Sequence, residues 1–123
     1  MNRLRVNFVD DRASFVPGES VSGTATWELE TDPQSIELRL FWYTTGKGDQ
    51  DLDVVQRLVF APSRHGTESF QLDLPRRPFS FSGKLISVIW AVELVAHPGE
   101  FTERLEIIIG PQRREVRVDA GEG

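Results

Sequence analysis

The segment from Phe79 to Ala96 constrains the fold more than any other part of the chain, because apolar side chains alternate along most of its length. One face carries Ile86, Val88, Trp90, Val92 and Leu94, and the other carries Leu85, Ser87, Ile89, Ala91 and Glu93. β-Branched and aromatic residues dominate and no N-cap residue precedes the run, which favours a strand over a helix. Since neither face is purely polar, we expect a long central strand with neighbours on both sides.

Seven further segments show strand-like alternation, and turn residues separate them. They cover residues 3–9, 21–29, 34–44, 54–60, 70–74, 105–109 and 116–118. In Val16-Pro17-Gly18-Glu19 the proline presets φ and the glycine supplies the positive φ that a type II turn needs. Eight short strands without a convincing helix predict an all-β fold, an antiparallel two-sheet β-sandwich. A closed barrel is the less favoured alternative, because strand lengths vary and the connecting segments carry proline.

Length and composition predict one domain in a reducing compartment. We assign residues 1–118 to a single sandwich and residues 119–123 to a short acidic tail. The absence of cysteine excludes disulfides and thiolate chemistry. No apolar run is long enough for a signal peptide or a membrane span, so we predict a cytoplasmic protein. The net charge of −5 argues against a nucleic-acid partner, which would require a concentrated basic face.

Residue types that could carry chemistry do not form a recognisable site in the sequence. Ser63 and His65 lie in a predicted turn without the surroundings of a nucleophile elbow. Alternating aspartates in the 44–53 loop resemble the start of a calcium-binding loop, but Val54 stands where that loop requires glycine. We therefore predict no catalytic residue, no cofactor and no metal site, and hence a protein that is not an enzyme.

Three stretches of the chain resemble the arrestin-like fold, specifically the N-terminal type of arrestin domain. They are Phe15 to Leu29, Ile36 to Trp42 and Phe70 to Leu94. The matching residues are Phe15, Pro17, Gly18, Glu19, Val21 and Gly23 in the first stretch, and Phe70, Leu72, Leu74, Pro75, Ser80, Phe81 and Gly83 in the last. The resemblance implies an arrestin-like, immunoglobulin-like sandwich that works as a non-catalytic adaptor or scaffold. Members usually carry two such domains in tandem, so we interpret this chain as a single-domain microbial relative.

Two function classes follow from these observations. A protein-interaction module is the first, and a small-ligand or carbohydrate-binding sandwich is the alternative. Trp27, Trp42 and Trp90 could form a sugar platform, but all three lie on the inward faces of their strands, which predicts core packing.

Apolar residues on two outward strand faces form the candidate interaction surface. Phe41 and Tyr43 share one face of residues 34–44, and Leu85, Ile89 and Ala91 share one face of the central strand. If the two strands are neighbours, these side chains merge into a patch that marks an interaction site. We expect the patch to bind a protein partner or a second copy of the chain.

Overall fold

The computed structural model describes residues 2–47, 50–83, 86–98 and 101–117, and within them it contains ten strands. The strands are β1 (Arg3–Phe8), β2 (Ser14–Phe15), β3 (Ser20–Glu28), β4 (Ser35–Gly46), β5 (Leu52–Phe60), β6 (His65–Asp73), β7 (Phe81–Ser82), β8 (Ile86–His97), β9 (Phe101–Ile109) and β10 (Val116–Arg117). Two 3₁₀ turns, Val9–Asp11 and Pro111–Arg113, complete the regular structure. The predicted all-β sandwich is confirmed.

The strands form two sheets. The small sheet is antiparallel in the order β1-β3-β6. In the large sheet β5, β4 and β8 are consecutive antiparallel neighbours. On the edge of β8 that faces away from β4, β9 pairs with residues 90–96 and β7 pairs with residues 87–88. The main strand pairs are antiparallel, as predicted, and only the short pairs of β2 with β9 and of β10 with β7 among the described residues run in parallel.

The central position of β8 is confirmed, since strands flank it on both sides. The prediction that this strand begins at Phe79 is wrong. Phe81 and Ser82 form the separate strand β7, which folds back to pair with Val88 and Ser87. The amide of Gly83 donates to the carbonyl oxygen of Ile86 at 3.1 Å and closes this reversal.

The core lies between the inward faces of the two sheets, and it includes two fully enclosed tryptophans. Trp27 donates its indole N–H to the carbonyl oxygen of Ser63 at 3.0 Å, and Trp90 donates to that of Pro78 at 2.8 Å. These bonds satisfy the polar end of each buried ring. Trp42 also packs against the core but stays partly exposed, so the prediction of burial holds fully only for Trp27 and Trp90.

The Pro17-Gly18-Glu19 turn has the predicted geometry. Gly18 has a φ of +86°, and the Glu19 amide donates to the Val16 carbonyl oxygen at 3.2 Å. The Glu19 carboxylate accepts hydrogen bonds from Arg12 at 2.5 Å and from the Val16 amide at 2.7 Å, and Arg113 lies 3.5 Å away. These contacts lower the pKa of Glu19 to about 2, and the hydrogen bond from Arg12 has the largest effect, with that from the Val16 amide next. Glu19 therefore joins its turn to the segments that follow β1 and β9.

Gly23, another residue of the sequence resemblance, is required by close packing. A Cβ atom at this position would lie 2.2 Å from the carbonyl oxygen of Asn7 and 2.7 Å from the ring of Phe70. Any side chain here would push β1 or the Phe70 ring away from β3.

Candidate interaction surface on the large sheet

The outward face of the large sheet is organised as rows of side chains that cross β5, β4, β8 and β9. The first two rows, here called the apolar rows, contain Leu52, Tyr43 and Ile89, then Val54, Phe41 and Ala91. The next row contains Arg57, Arg39, Glu93 and Arg104 and is called the charged row. On β5, β4 and β8 the two apolar rows thus lie beside the charged row, and the second apolar row ends at Glu106 on β9.

The structure places four of the five predicted surface residues together. Phe41 lies opposite Ala91, and Tyr43 lies opposite Ile89, because β4 and β8 are neighbours. Leu85 lies outside the described residues. Tyr43 and Ile89 are half-buried and remain accessible.

The expectation that Phe41 and Ala91 are exposed is wrong. Phe41 retains only 3% of its surface, and Ala91 retains none. The Phe41 ring stacks on Tyr43 with centroids 5.9 Å apart, and the Arg104 guanidinium lies over both rings at 5.0 and 5.4 Å. The single methyl group of Ala91 lies in the register between Phe41 and Glu106. Larger neighbours therefore cover this part of the surface.

Arg104 is held in place by Glu93. The guanidinium donates to Glu93 Oε2 through Nε at 3.3 Å and through Nη2 at 3.2 Å. The Glu93 carboxylate is largely buried, so the nearby cation offsets its loss of hydration. A planar guanidinium can pair with a carboxylate and stack on aromatic rings at once, which a lysine ammonium cannot do as well.

A second ion-pair group lies at the far end of the same face. Arg39 donates from Nε to Glu37 Oε1 at 2.6 Å, and His97 Nε2 lies 3.5 Å from the same oxygen. Burial raises the pKa of Glu37, but the hydrogen bond and charge of Arg39, together with His97, outweigh this effect and leave the pKa lowered. The group makes this end of the face polar on β4 and β8, while the exposed Val59 lies opposite Glu37 on β5.

Alternation in the sequence did not predict which apolar side chains of the described residues are the most exposed, and these belong to β5. Leu52 is 62% exposed and Val59 is 72% exposed. Val54 and Leu58 would lie on the same face of a regular strand. Because the register shifts between Leu40 and Phe41, Val54 lies on the outward face, whereas Leu58 pairs with the buried Leu38 on the inward face. Alternation within residues 54–60 predicted a strand, but a bulge reverses the faces part-way and hides which residues point outward.

A cleft opens beside the apolar rows, where the strand paired with β8 changes from β9 to β7. β9 pairs with β8 up to Trp90 and Ile107, and its next residue, Ile108, pairs with Ser14 of β2. On β8 the next paired residue along this edge is Val88, whose partner belongs to β7. The resulting cleft has a volume of about 240 Å³ and is lined by Val88, Ile89, Ile107, Ile108, Glu106 and Glu115, among others.

Comparison with known proteins bears on the fold. No family model and no curated protein matches the chain. Among solved structures, it is similar to the sporulation control protein Spo0M from Bacillus subtilis, with a TM-score of 0.63 and 18% identity. The alignment covers 89% of this chain and 49% of the Spo0M chain, so this chain spans about half the length of that protein. The fold is an arrestin-like β-sandwich.

Two of the residues singled out in the sequence, Ser63 and Asp51, take part in local hydrogen bonds. Ser63 donates its hydroxyl to the carbonyl oxygen of His65 at 2.8 Å, within the connection between β5 and β6. Thr44 and Asp51 exchange hydrogen bonds of 2.8 and 3.0 Å across the β4–β5 hairpin, and Asp49 lies outside the described residues.

Neither a metal cluster nor a membrane-spanning helix is present in the part of the chain that the structure describes. No three His, Asp or Glu side chains there are grouped so that they could hold a metal ion. No helix in these residues has the length and apolar character needed to cross a membrane.

Proposed function

We propose that this chain is a non-catalytic protein-interaction module, an adaptor or scaffold, that binds a partner protein through the outward face of its large sheet. The observation that carries the proposal is the position of the apolar rows beside the charged row. Contiguous apolar surface rimmed by polar groups is typical of protein-binding sites. Tyrosine and arginine, here Tyr43 and Arg104, are enriched in such interfaces.

The arrestin-like fold supports this proposal without identifying a partner. Spo0M, one solved structure similar to this chain, is described as a sporulation control protein. A regulatory role in which the module recruits another protein agrees with that description. A fold hosts many functions, however, so the partner must be recognised through the surface itself.

The positions of the tryptophans favour a protein partner over a sugar. Carbohydrate-binding platforms need exposed aromatic rings, whereas Trp27 and Trp90 are buried and Trp42 packs against the core. Clefts elsewhere on the described molecule and beside Ile89 are also small, with volumes of about 20 to 300 Å³. Pockets for drug-sized ligands begin at about 300 Å³.

Affinity capture tests the proposal. The wild-type chain and the variants Tyr43→Glu and Leu52→Glu are used to capture proteins from cells of the source organism, and mass spectrometry identifies them. We expect a specific partner that both variants lose, because a carboxylate at either position opposes burial of the apolar rows. Thr67→Glu, an exposed position on the small sheet, is the matched control and should retain the partner. Capture that is the same for all four proteins would refute this surface as the binding site.

A further inference from the structure

The cleft beside Ile89 has the size of a side-chain pocket. Its volume of about 240 Å³ lies below the range of about 300 to 1,000 Å³ that is usual for small-molecule sites. It lies where β8 and β9 diverge, and Ser14 and Ser80 are among its lining residues. Such a cleft can receive one long side chain of a bound polypeptide.

The lining of the cleft is complementary to a cation on an aliphatic stem. Its lining includes the apolar residues Val88, Ile89 and Ile108 and the carboxylate residue Glu106. No cationic side chain is among its described lining residues. Lysine and arginine bury their methylene groups against apolar surface and keep their charge near water or a carboxylate. The exposed Glu106 is placed to meet that charge.

Ile89 belongs to both the cleft and the apolar rows, so the two features form one continuous surface. From Ile108 the surface crosses β8 and β4 to reach Leu52 on β5. Ile89 and Leu52 are two paired-strand spacings apart, or about 10 Å, since paired strands lie about 4.8 Å apart. An extended polypeptide advances about 3.3 Å per residue, so it would cross this distance in about three residues and reach into the cleft within about five.

The charged row sets the position of the cationic side chain. Arg104 lies on the same strand and the same face as Glu106, two residues away, and it is already paired with Glu93. A second cation would be repelled by Arg104 and attracted by the Glu106 carboxylate at the cleft. The basic residue of a bound segment therefore belongs at the cleft end, and its apolar residues belong over Tyr43 and Leu52.

We infer that the surface binds an extended segment of a partner protein in which a lysine or arginine enters the cleft and apolar residues within about five positions cover the apolar rows. This inference rests on the proposed function and specifies the chemistry of the partner. It assigns Glu106 as the residue that selects the basic side chain.

Phage display of random dodecapeptides on the immobilised wild-type protein tests the inference without knowledge of the partner. We expect enriched peptides to carry a lysine or arginine with apolar residues nearby. A fluorescent copy of an enriched peptide should bind Glu106→Gln about tenfold more weakly than wild type, because the charge pair is lost. Glu68→Gln, an exposed carboxylate on β6, is the matched control and should bind normally. Ile89→Ser should also weaken binding.

A double-mutant cycle assigns the contact to the cleft. Replacing the basic residue of the peptide by norleucine should weaken binding to wild type but cause little further loss with Glu106→Gln. Failure to enrich peptides, enrichment without a basic residue, or unchanged binding by Glu106→Gln would each overturn the inference. A natural partner that is lost with Tyr43→Glu but retained with Glu106→Gln would overturn it while leaving the proposed function intact.

Discussion

The guanidinium carbon of Arg104 lies 5.0 Å from the centroid of the Phe41 ring, on the outward face of the large sheet. Phe41 is buried although its strand directs it away from the core. Glu93 accepts two hydrogen bonds from the same guanidinium, so the cation is both paired and oriented. The outward face is therefore an ordered aromatic and ionic layer, and apolar residues next to this layer stay accessible.

Arg104→Ala should destabilise the protein by about 1–3 kcal/mol. The change uncovers Phe41 and leaves the largely buried Glu93 carboxylate without the guanidinium. Urea unfolding measures the loss. The double variant Arg104→Ala/Glu93→Gln should recover part of the stability, because the unpaired charge is removed as well. Equal stability of Arg104→Ala and wild type would show that the guanidinium does not hold this layer together.

Trp90→Ala should cost about 3–5 kcal/mol, because it opens a cavity at a fully buried site and leaves the Pro78 carbonyl without its donor. Trp42→Ala should cost less, since that ring is only partly buried. Denaturant unfolding of both variants gives the comparison. Wild-type tryptophan emission should lie well to the blue of free indole in water, and a water-like spectrum would contradict the described core.

Glu19→Gln should lower stability at neutral pH. The pKa of Glu19 is lowered from 4.5 to about 2 in the folded protein, so its charged form stabilises the fold above pH 4.5. As the pH falls toward 2 the carboxyl group is protonated and this contribution disappears. The stability difference between wild type and Glu19→Gln should therefore shrink across that window. Unfolding curves at several pH values measure the difference, and a difference independent of pH would contradict the proposed charge pairing.

Variants of the two arginines provide a comparison for the Glu19 prediction. Arg12→Ala should reproduce more of the loss than Arg113→Ala, because Arg12 makes the shorter contact with the Glu19 carboxylate. An equal loss from both substitutions would assign the effect to the general charge of the region.

The alternation of side chains was sufficient to predict the all-β class and the central place of β8. It could not show where β8 changes neighbours, because the switch from β9 to β7 depends on strands distant in sequence. The sequence predicted that Phe41 and Tyr43 point outward, but not that Arg104 covers them. Arg104 is separated from these residues by about half of the chain, and the pairing of β4 with β8 and of β8 with β9 brings it to them.

Turn motifs were more informative than strand faces. Pro17-Gly18-Glu19 predicted its own geometry, because the conformations of proline and glycine are set locally. The outward set on β5 could not be predicted, since the bulge opposite Leu40 and Phe41 reverses the faces within one strand. The cleft beside Ile89 was likewise hidden, as it exists only where β8 and β9 separate.

The exposed part of the apolar rows leads to the last prediction, which concerns self-association. Tyr43→Glu and Ile89→Glu should leave the fold intact, because both positions are half-buried on the outward face. If the rows dock a second copy of the chain, each variant should convert a dimer into a monomer in light scattering. Phe41→Glu is expected to unfold the protein instead, since the site is buried beneath Tyr43 and Arg104. Wild type and variants that are all monomeric would exclude a second copy as the occupant, and loss of a captured partner by the same variants would then identify a different protein as the occupant.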